Sequence, residues 1–137
     1  MRLLARREHS VRELRFKLAQ RGHAADIIDR VLAGLIAAGF LSDRRFAGTF
    51  ALSRFERGMG PARIRAELRE RGIDEADIEA ALASLGADWF VAVRRVREKR
   101  FGAAAANDVR ERARQMRFLQ RRGFDSAHIR AALDEYD

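Results

Sequence analysis

The chain has 137 residues, of which 47% are hydrophobic and 35% charged, so it can form one domain or a short array of small units with a core. It is too short for a barrel enzyme or a two-domain dinucleotide-binding enzyme. The absence of cysteine excludes disulfides, a thiolate zinc site and a cysteine nucleophile. The formal net charge of +8 favours an anionic partner.

The composition is that of an α-helical protein. Ala, Leu, Arg and Glu dominate, and glycines separate the periodic segments. In chain order, we predict helices over residues 2–8, 11–21, 24–38, 43–57, 61–71, 75–84, 87–101, 107–122 and 126–135. The Arg-rich beginning contains no signal-peptide core, and the longest apolar run, residues 31–41, is too short for a membrane span. The sequence therefore predicts a cytoplasmic protein without a membrane partner.

Several predicted helices begin with a capping residue. Ser10 followed by Glu13 has the spacing of a capping box, and Pro61 suits the first position of a helix. Further N-caps are predicted at Ser42, Asp74 and Asp125.

A repeat appears when the glycines are aligned. The motif Leu-x-x-Arg-Gly occurs at residues 18–22, 68–72 and 119–123, with spacings of 50 and 51 residues. Each Gly suits the left-handed turn that ends a helix. Six and ten residues after each Gly come apolar residues that we expect to be buried: Ile28, Ile78 and Ile129, then Leu32, Leu82 and Leu133.

The repeat predicts an all-α fold of three tandem three-helix units, over residues 1–39, 40–85 and 86–137, with a shortened first helix. Each unit is too small to bury its apolar face alone, so neighbours must stack, and we expect an elongated, curved array. The alternative is a compact nine-helix bundle whose helices merely share composition.

The sequence contains no residue pattern that is typical of an enzyme active site. The histidines, His9, His23 and His128, show no metal-ligand spacing, and the acidic cluster at residues 74–79 is better explained by the helix dipole. We therefore expect no catalytic residue, metal or cofactor.

The arrangement of a helix, a Gly-containing turn and a second helix resembles DNA-binding modules. However, the second helices are apolar and acidic, which argues against a role in recognising the edges of DNA bases.

Positive charge is concentrated in two blocks. Residues 1–21 hold seven basic and two acidic side chains, and residues 94–122 hold eleven and three. An electrostatic field with two positive regions attracts a polyanion or an acidic protein surface at two places. The arginine excess also fits a coding bias, since only Lys17 and Lys99 are lysines.

The helix predicted over 107–122 should present a basic face beside a buried stripe. Val109, Ala113, Met116 and Leu119 form the expected stripe. An adjacent face carries Arg110, Arg114, Arg117 and Arg121, for which we expect an anionic partner. Phe118 is either covered by the preceding helix or contacts a partner.

The full set of candidate binding residues combines both blocks. In the C-terminal block, the four-arginine face and Phe118 are joined by Arg94, Arg95, Arg97, Lys99, Arg100 and Arg122. The N-terminal block contributes Arg2, Arg6, Arg7, Arg12, Arg15 and Lys17.

Four segments carry a family resemblance, namely GFLSDRRFA at residues 39–47, GMGPARIRAELRERGI at 58–73, RFLQRRGF at 117–124 with IRAAL at 129–133, and LLARREHS at 3–10. Together they resemble the RecX family of bacterial recombinase regulators. The match runs along essentially the whole chain and includes the three repeats. The short first helix departs from the family, as if an N-terminal extension were absent.

The resemblance implies a non-enzymatic negative regulator of RecA. Such a protein binds RecA and its filament on single-stranded DNA, limits filament growth or promotes disassembly, and so damps strand exchange, ATP hydrolysis and SOS co-protease activity. We expect a monomer with RecA as partner and possible direct, nonspecific DNA contact. The alternative is a stand-alone nonspecific DNA-binding protein that uses the arginine faces.

Overall fold

The computed structural model describes residues 7–134, and every regular element within that range is an α-helix. These helices are α1 (Val11–Gln20), α2 (Ala25–Ala37), α3 (Asp43–Glu56), α4 (Pro61–Glu70), α5 (Glu75–Ser84), α6 (Trp89–Phe101), α7 (Val109–Arg121) and α8 (Ser126–Asp134). The predicted all-α fold is confirmed.

The predicted helix over 2–8 falls almost entirely outside the described residues, which begin at residue 7. Residues 7–10 are not helical. The other bounds agree to within two residues. Both α6 and α7 begin two residues later than predicted, because Asp88 and Asp108 accept hydrogen bonds from the first-turn N–H groups and thereby cap these helices.

Most of the predicted capping residues act as expected. The Ser10 hydroxyl accepts from the Glu13 N–H, and the Glu13 carboxylate accepts from the Ser10 N–H, which completes the capping box. Ser42 accepts from the Arg45 N–H at 3.1 Å, and Asp74 accepts from the Asp77 N–H at 2.9 Å. These caps satisfy helix N–H groups that have no partner inside the helix.

The repeat motif also behaves as the alignment predicts. Gly22, Gly72 and Gly123 end α1, α4 and α7 with φ of +88°, +79° and +96°. The repeated apolar positions are all buried, namely Leu18, Leu68, Leu119, Ile28, Ile78, Ile129, Leu32, Leu82 and Leu133. Burial of each such side chain contributes about 1.5–3 kcal/mol, so the repeated motif supplies much of the core.

The chain forms two compact units. The first unit comprises Met1–Ala51 and Glu67–Ser84, and the second comprises Leu52–Ala66 and Leu85–Asp137. These two units do not coincide with the predicted repeats, because each unit combines segments of more than one repeat. The repeat boundaries after residues 39 and 85 remain a proposal.

In the first unit, α1 and α2 pack through a core of Leu14, Leu18, Ile28, Leu32 and Leu41. The Gly72 turn lies against α1 so closely that a Cβ at Gly72 would meet the side chain of Arg12. The guanidinium of Arg12 in turn donates to the carbonyl oxygen of Glu70 at 3.2 Å. The end of α4 is thereby fixed against the start of α1.

In the second unit, α6, α7 and α8 pack around Val93, Leu119, Phe124, Ile129, Ala132 and Leu133. The Gly123 turn lies against the start of α4, as the Gly72 turn lies against α1 in the first unit. The Gly60 N–H donates to the Arg122 carbonyl at 2.7 Å, and the Ala62 N–H donates to the Gly123 carbonyl at 2.9 Å. Carbonyls of the turn that follows α7 therefore accept hydrogen bonds from N–H groups at the beginning of α4, which have no partner inside that helix.

Candidate protein and nucleic-acid interface

The N-terminal basic block is largely engaged within the first unit. Arg7 pairs with Glu13 at 3.3 Å, and Arg15 pairs with Asp29. The guanidinium of Arg12 is held by the Glu70 carbonyl, as described above. Arg2 and Arg6 lie outside the described residues.

Lys17 is engaged through a buried histidine. The Lys17 ammonium donates to Nε2 of His9 at 3.1 Å, while Nδ1 of His9 lies 3.1 Å from the Arg7 carbonyl oxygen. This geometry requires a neutral imidazole with its proton on Nδ1. Burial, aided by the nearby charges of Arg7 and Lys17, lowers the pKa of His9 below its ordinary value.

Arg97 is not part of an exposed basic face, and its assignment there from sequence is wrong. The side chain is fully buried. Its Nε donates to Oε1 of Gln115 at 2.9 Å, and its terminal nitrogens donate to the carbonyls of Gly102 at 3.4 Å and Ala104 at 2.7 Å. Arg97 follows buried Val93 by one helical turn, so its position faces inward, and its guanidinium fixes the loop between α6 and α7.

The predicted buried stripe of α7 is also wrong at its first position. Val109 is 84% exposed. The fully buried side chains of this helix are Gln115 and Leu119. Val109 is the first residue of α7. The buried position of Gln115 is polar, since its amide oxygen accepts from the buried guanidinium of Arg97, so a search for apolar residues alone does not identify it.

The predicted basic face of α7 is exposed at all four arginines. Arg114 pairs with Glu111 through two hydrogen bonds of 3.0 and 2.9 Å, which lower the pKa of that carboxyl. The side chains of Arg110, Arg117 and Arg121 have no ion-pair partner between residues 7 and 134. Three like charges therefore share one helix face without compensation from the described chain.

Phe118 lies against the end of α6. Its ring meets the ring of Phe101 edge-on, with centroids 5.3 Å apart. The guanidinium carbons of Arg100 and Arg122 lie 5.6 and 5.3 Å from the Phe118 centroid, within the range of a cation–π contact. Phe118 is half-buried, and its ring contacts the guanidiniums of both Arg100 and Arg122.

A groove with a volume of about 760 Å³ opens in the second unit, between the end of α3 and helices α6 and α7. Its apolar wall contains Phe55, Val91, Ala92, Val96, Phe118 and Phe124. Its cationic lining residues are Arg57, Arg95, Lys99, Arg100 and Arg122, against the two acidic residues Glu56 and Asp88. The Asp88 carboxylate is occupied in capping α6.

Only part of this groove was predictable from the sequence. The predicted binding residues include four of its cations and Phe118 but not Arg57 or Phe55, which lie at the end of α3. Neither stands out in the sequence, since Arg57 lies in the nearly neutral middle of the chain. Of the remaining predicted residues, Arg94 is half-buried on α6 and lies outside the groove lining.

Two other kinds of site are absent from residues 7–134. No group of histidine and carboxylate side chains there is placed to hold a metal ion. No helix there is long and apolar enough to cross a membrane.

Within residues 7–134, the structure defines a class of helical protein that combines Gly-terminated helix repeats with an exposed cationic helix face. Three family models match in succession: the first three-helix domain of RecX at residues 1–35, the second at 42–82 and the third at 88–133. The chain belongs to the RecX family. The family is a regulatory one, as the names of its curated members state.

Individual relatives cover most of the chain. The protein named regulatory protein RecX from Halorhodospira halophila is 51% identical over 132 residues, which are 96% of this chain and 82% of that protein. Its namesake from Pseudomonas savastanoi pv. phaseolicola is 47% identical over 124 residues, 90% of this chain and 80% of that protein.

The fold is also that of a solved structure. The crystal structure of RecX from Lactobacillus salivarius superposes with a TM-score of 0.82, covering 99% of this chain and 90% of that one, at 22% identity. This structural likeness supports the three-helix-repeat fold independently, because a sequence identity of 22% alone says little about the fold.

Proposed function

We propose that this protein is a negative regulator of RecA that binds RecA and its filament on single-stranded DNA. It limits filament growth or promotes disassembly, and so reduces recombination, ATP hydrolysis and SOS co-protease activity. It acts in the cytoplasm as a monomer and by binding, not by catalysis. Membership in a family of regulatory proteins supports this proposal.

The observation that carries the proposal is the uncompensated positive charge of the second unit. Arg95 and Lys99 on α6 and Arg110, Arg117 and Arg121 on α7 are exposed and have no ion-pair partner among residues 7–134. Like charges on a helix face repel one another. A partner surface that is acidic, or a phosphate backbone, relieves this repulsion and gains affinity.

We infer that contact with RecA dominates and that contact with DNA supports it. The charged groove has an apolar wall, which contributes to binding a protein but not to binding a phosphate backbone. In this mechanism the protein blocks or loosens the interface between RecA subunits.

A second candidate function is nonspecific DNA binding through the α7 arginines. Arg110, Arg117 and Arg121, which have no ion-pair partner among residues 7–134, favour it, because they lie on one exposed side of a helix and can follow a phosphate backbone. Binding through phosphates alone should weaken steeply with salt, with a slope of about −0.7 in log K against log salt for each phosphate neutralised on a single strand.

Equilibrium binding separates the two functions. The fluorescently labelled protein is titrated with RecA alone, with RecA filaments on oligo(dT), and with oligo(dT) alone, at about 50 and about 200 mM salt. The proposal expects the tightest binding to the filament, with measurable binding to RecA alone at the higher salt. Binding to oligo(dT) that equals binding to the filament, and that disappears at the higher salt, would establish the DNA-binding alternative instead.

A further inference from the structure

The groove of the second unit combines an aliphatic wall with a cationic rim. Val91, Ala92 and Val96 of α6 line it and are only partly buried, so apolar surface remains open inside it. Arg95 and Lys99 lie on the same helix, are exposed and also line the groove. A ligand that fills this groove must therefore present an apolar group and negative charges together.

Two of the cationic residues that line the groove are held in place. Arg100 and Arg122 lie over the ring of Phe118, and the Arg122 guanidinium donates to the carbonyl oxygen of Arg57 at 3.1 Å. A guanidinium that is already positioned loses less conformational freedom when it binds an anion. The groove thus combines two positioned guanidiniums with an overall excess of positive charge, since five of its lining residues are cationic and two are acidic.

The aromatic residues of the groove do not form a platform for stacked nucleotide bases. Phe124 is 4% exposed. The ring of Phe55 packs on Trp89 with centroids 5.5 Å apart, and Trp89 packs on Phe124. Since Phe118 already contacts Phe101 and two guanidiniums, the rings are engaged with the protein itself. Single-stranded DNA binders instead offer exposed aromatic faces to successive bases.

We propose that this groove binds an acidic amphipathic segment of the RecA protein. One or two large apolar side chains of that segment fill the space beside Val91, Ala92 and Val96. Neighbouring carboxylates pair with Arg95 and Lys99 at the rim. The inference rests on the proposed function for the identity of the partner, and it adds the surface used and the chemistry recognised there.

A site-specific crosslink tests the proposal on the intact protein. The photoreactive residue p-benzoylphenylalanine replaces Arg95 in one variant (Arg95→p-benzoylphenylalanine) and Arg130 in a control. Arg130 is exposed on α8 and does not line the groove. Each variant is irradiated with RecA filaments on oligo(dT), and the crosslinked peptide is identified by mass spectrometry.

The expected product joins position 95 to a RecA peptide that contains carboxylates around a large apolar side chain, with a clearly lower yield from position 130. A crosslink from position 95 to oligo(dT) would overturn the proposal and make the groove a DNA site. So would the absence of a groove crosslink from a variant that still binds RecA. Failure of the wild-type protein to bind RecA at all would instead overturn the proposed function.

A peptide probe supplies an independent measurement. A fluorescein-labelled peptide, Asp-Glu-Phe-Leu-Asp-Glu-Leu-Glu, is compared with one in which Ser replaces Phe and both Leu residues. We expect the first peptide to bind about tenfold more tightly, because the apolar anchor supplies most of the affinity. Equal affinity for the two peptides, or no saturable binding of the first, would contradict an apolar anchor in the groove.

Matched charge variants complete the test. The pair Arg95→Glu and Lys99→Glu changes two groove residues, whereas Arg110→Glu and Arg117→Glu makes the same charge change on the exposed face of α7. The groove pair should reduce peptide binding by about tenfold or more, and the α7 pair by about twofold or less. Equal reductions would show that the peptide follows net charge and not the groove.

Discussion

Nε of Arg97 donates a hydrogen bond to Oε1 of Gln115 at 2.9 Å within the buried core of the second unit. The same guanidinium also binds the carbonyls of Gly102 and Ala104 in the loop that follows α6. One buried cation therefore joins α6, α7 and their connection. A buried charge of this kind is stable only while its hydrogen bonds are complete.

We predict that Gln115→Leu lowers the free energy of unfolding by about 1–3 kcal/mol, because it removes one acceptor of a hydrogen bond from a buried guanidinium. Urea unfolding followed by circular dichroism measures the change. Gln120→Leu is the matched control, since Gln120 is exposed on the same helix, and should change stability by less than about 0.5 kcal/mol. Equal effects of the two substitutions would show that the Arg97–Gln115 hydrogen bond contributes little.

Gly123 should tolerate substitution less well than Gly22. Both have positive φ, so alanine at either position is strained by about 1–2 kcal/mol. A Cβ at Gly22 meets open space, whereas a Cβ at Gly123 would overlap Arg63 at the start of α4. We expect Gly123→Ala to be more destabilising than Gly22→Ala by about 1–3 kcal/mol.

Thermal or urea unfolding of the two glycine variants checks this difference. Equal destabilisation by Gly22→Ala and Gly123→Ala would mean that the close approach of the Gly123 turn to α4 does not contribute to stability. A Gly123→Ala variant that does not fold, beside a folded Gly22→Ala, would agree with the prediction.

The buried histidine predicts a pH dependence of stability. Burial lowers the pKa of His9 in the folded state below 6.5, its ordinary value. The unfolded state therefore takes up the proton first as the pH falls. The stabilisation from neutral His9 is complete above about pH 6.5 and is lost as the pH falls from there toward the folded-state pKa.

Unfolding at several pH values between about 7 and 5 measures this effect. We expect His9→Gln to flatten the decline in stability over that range, whereas His23→Gln, at an exposed position, should keep the wild-type decline. An unchanged slope in His9→Gln would show that His9 is not the group responsible.

The uncompensated arginines of α7 should contribute to binding without contributing to the fold. The double variant Arg117→Ala and Arg121→Ala removes two exposed cations that lack ion-pair partners among the described residues. We expect weaker binding to RecA filaments on oligo(dT) and an unchanged helical circular dichroism signal. If these arginines touch phosphate, the salt dependence should also become shallower, by about 0.7 in slope for each phosphate that is no longer neutralised.

The control for that variant is Arg15→Ala with Arg69→Ala. These arginines carry the same total charge but already pair with Asp29 and with Glu75, the latter at 2.6 Å. The control should bind filaments about as well as the wild-type protein. Equal weakening by both double variants would indicate that only net charge matters, and unaltered binding of Arg117→Ala with Arg121→Ala would exclude the α7 face.

The repeat and most helix bounds were predictable because local chemistry determines them. Gly22, Gly72 and Gly123 each require a left-handed turn, and Ser10 with Glu13 forms a local cap. The apolar positions after each Gly follow helical periodicity closely enough to identify the core. Such signals act within a few residues and can therefore be recognised in the sequence.

The candidate site was less predictable because it depends on contacts between distant segments. In the sequence, Arg97 looks like an ordinary surface arginine. Its burial depends on a hydrogen bond to Gln115, which lies eighteen residues away in the chain. Arg57 and Phe55 belong to the groove only because the end of α3 packs beside α6. The excess of positive charge in the sequence therefore indicated four of the five cationic residues that line the groove, but it also placed the buried Arg97 on the surface.

Regulation of RecA by direct binding is tested most directly by the rate of ATP hydrolysis by RecA on single-stranded DNA. The rate is measured as this protein is added, at about 50 and about 200 mM salt. We predict inhibition at amounts well below those that coat the DNA, and persistence of that inhibition at the higher salt. No inhibition, or inhibition only when the DNA is saturated and abolished by salt, would contradict regulation through RecA and leave a nonspecific DNA-binding protein.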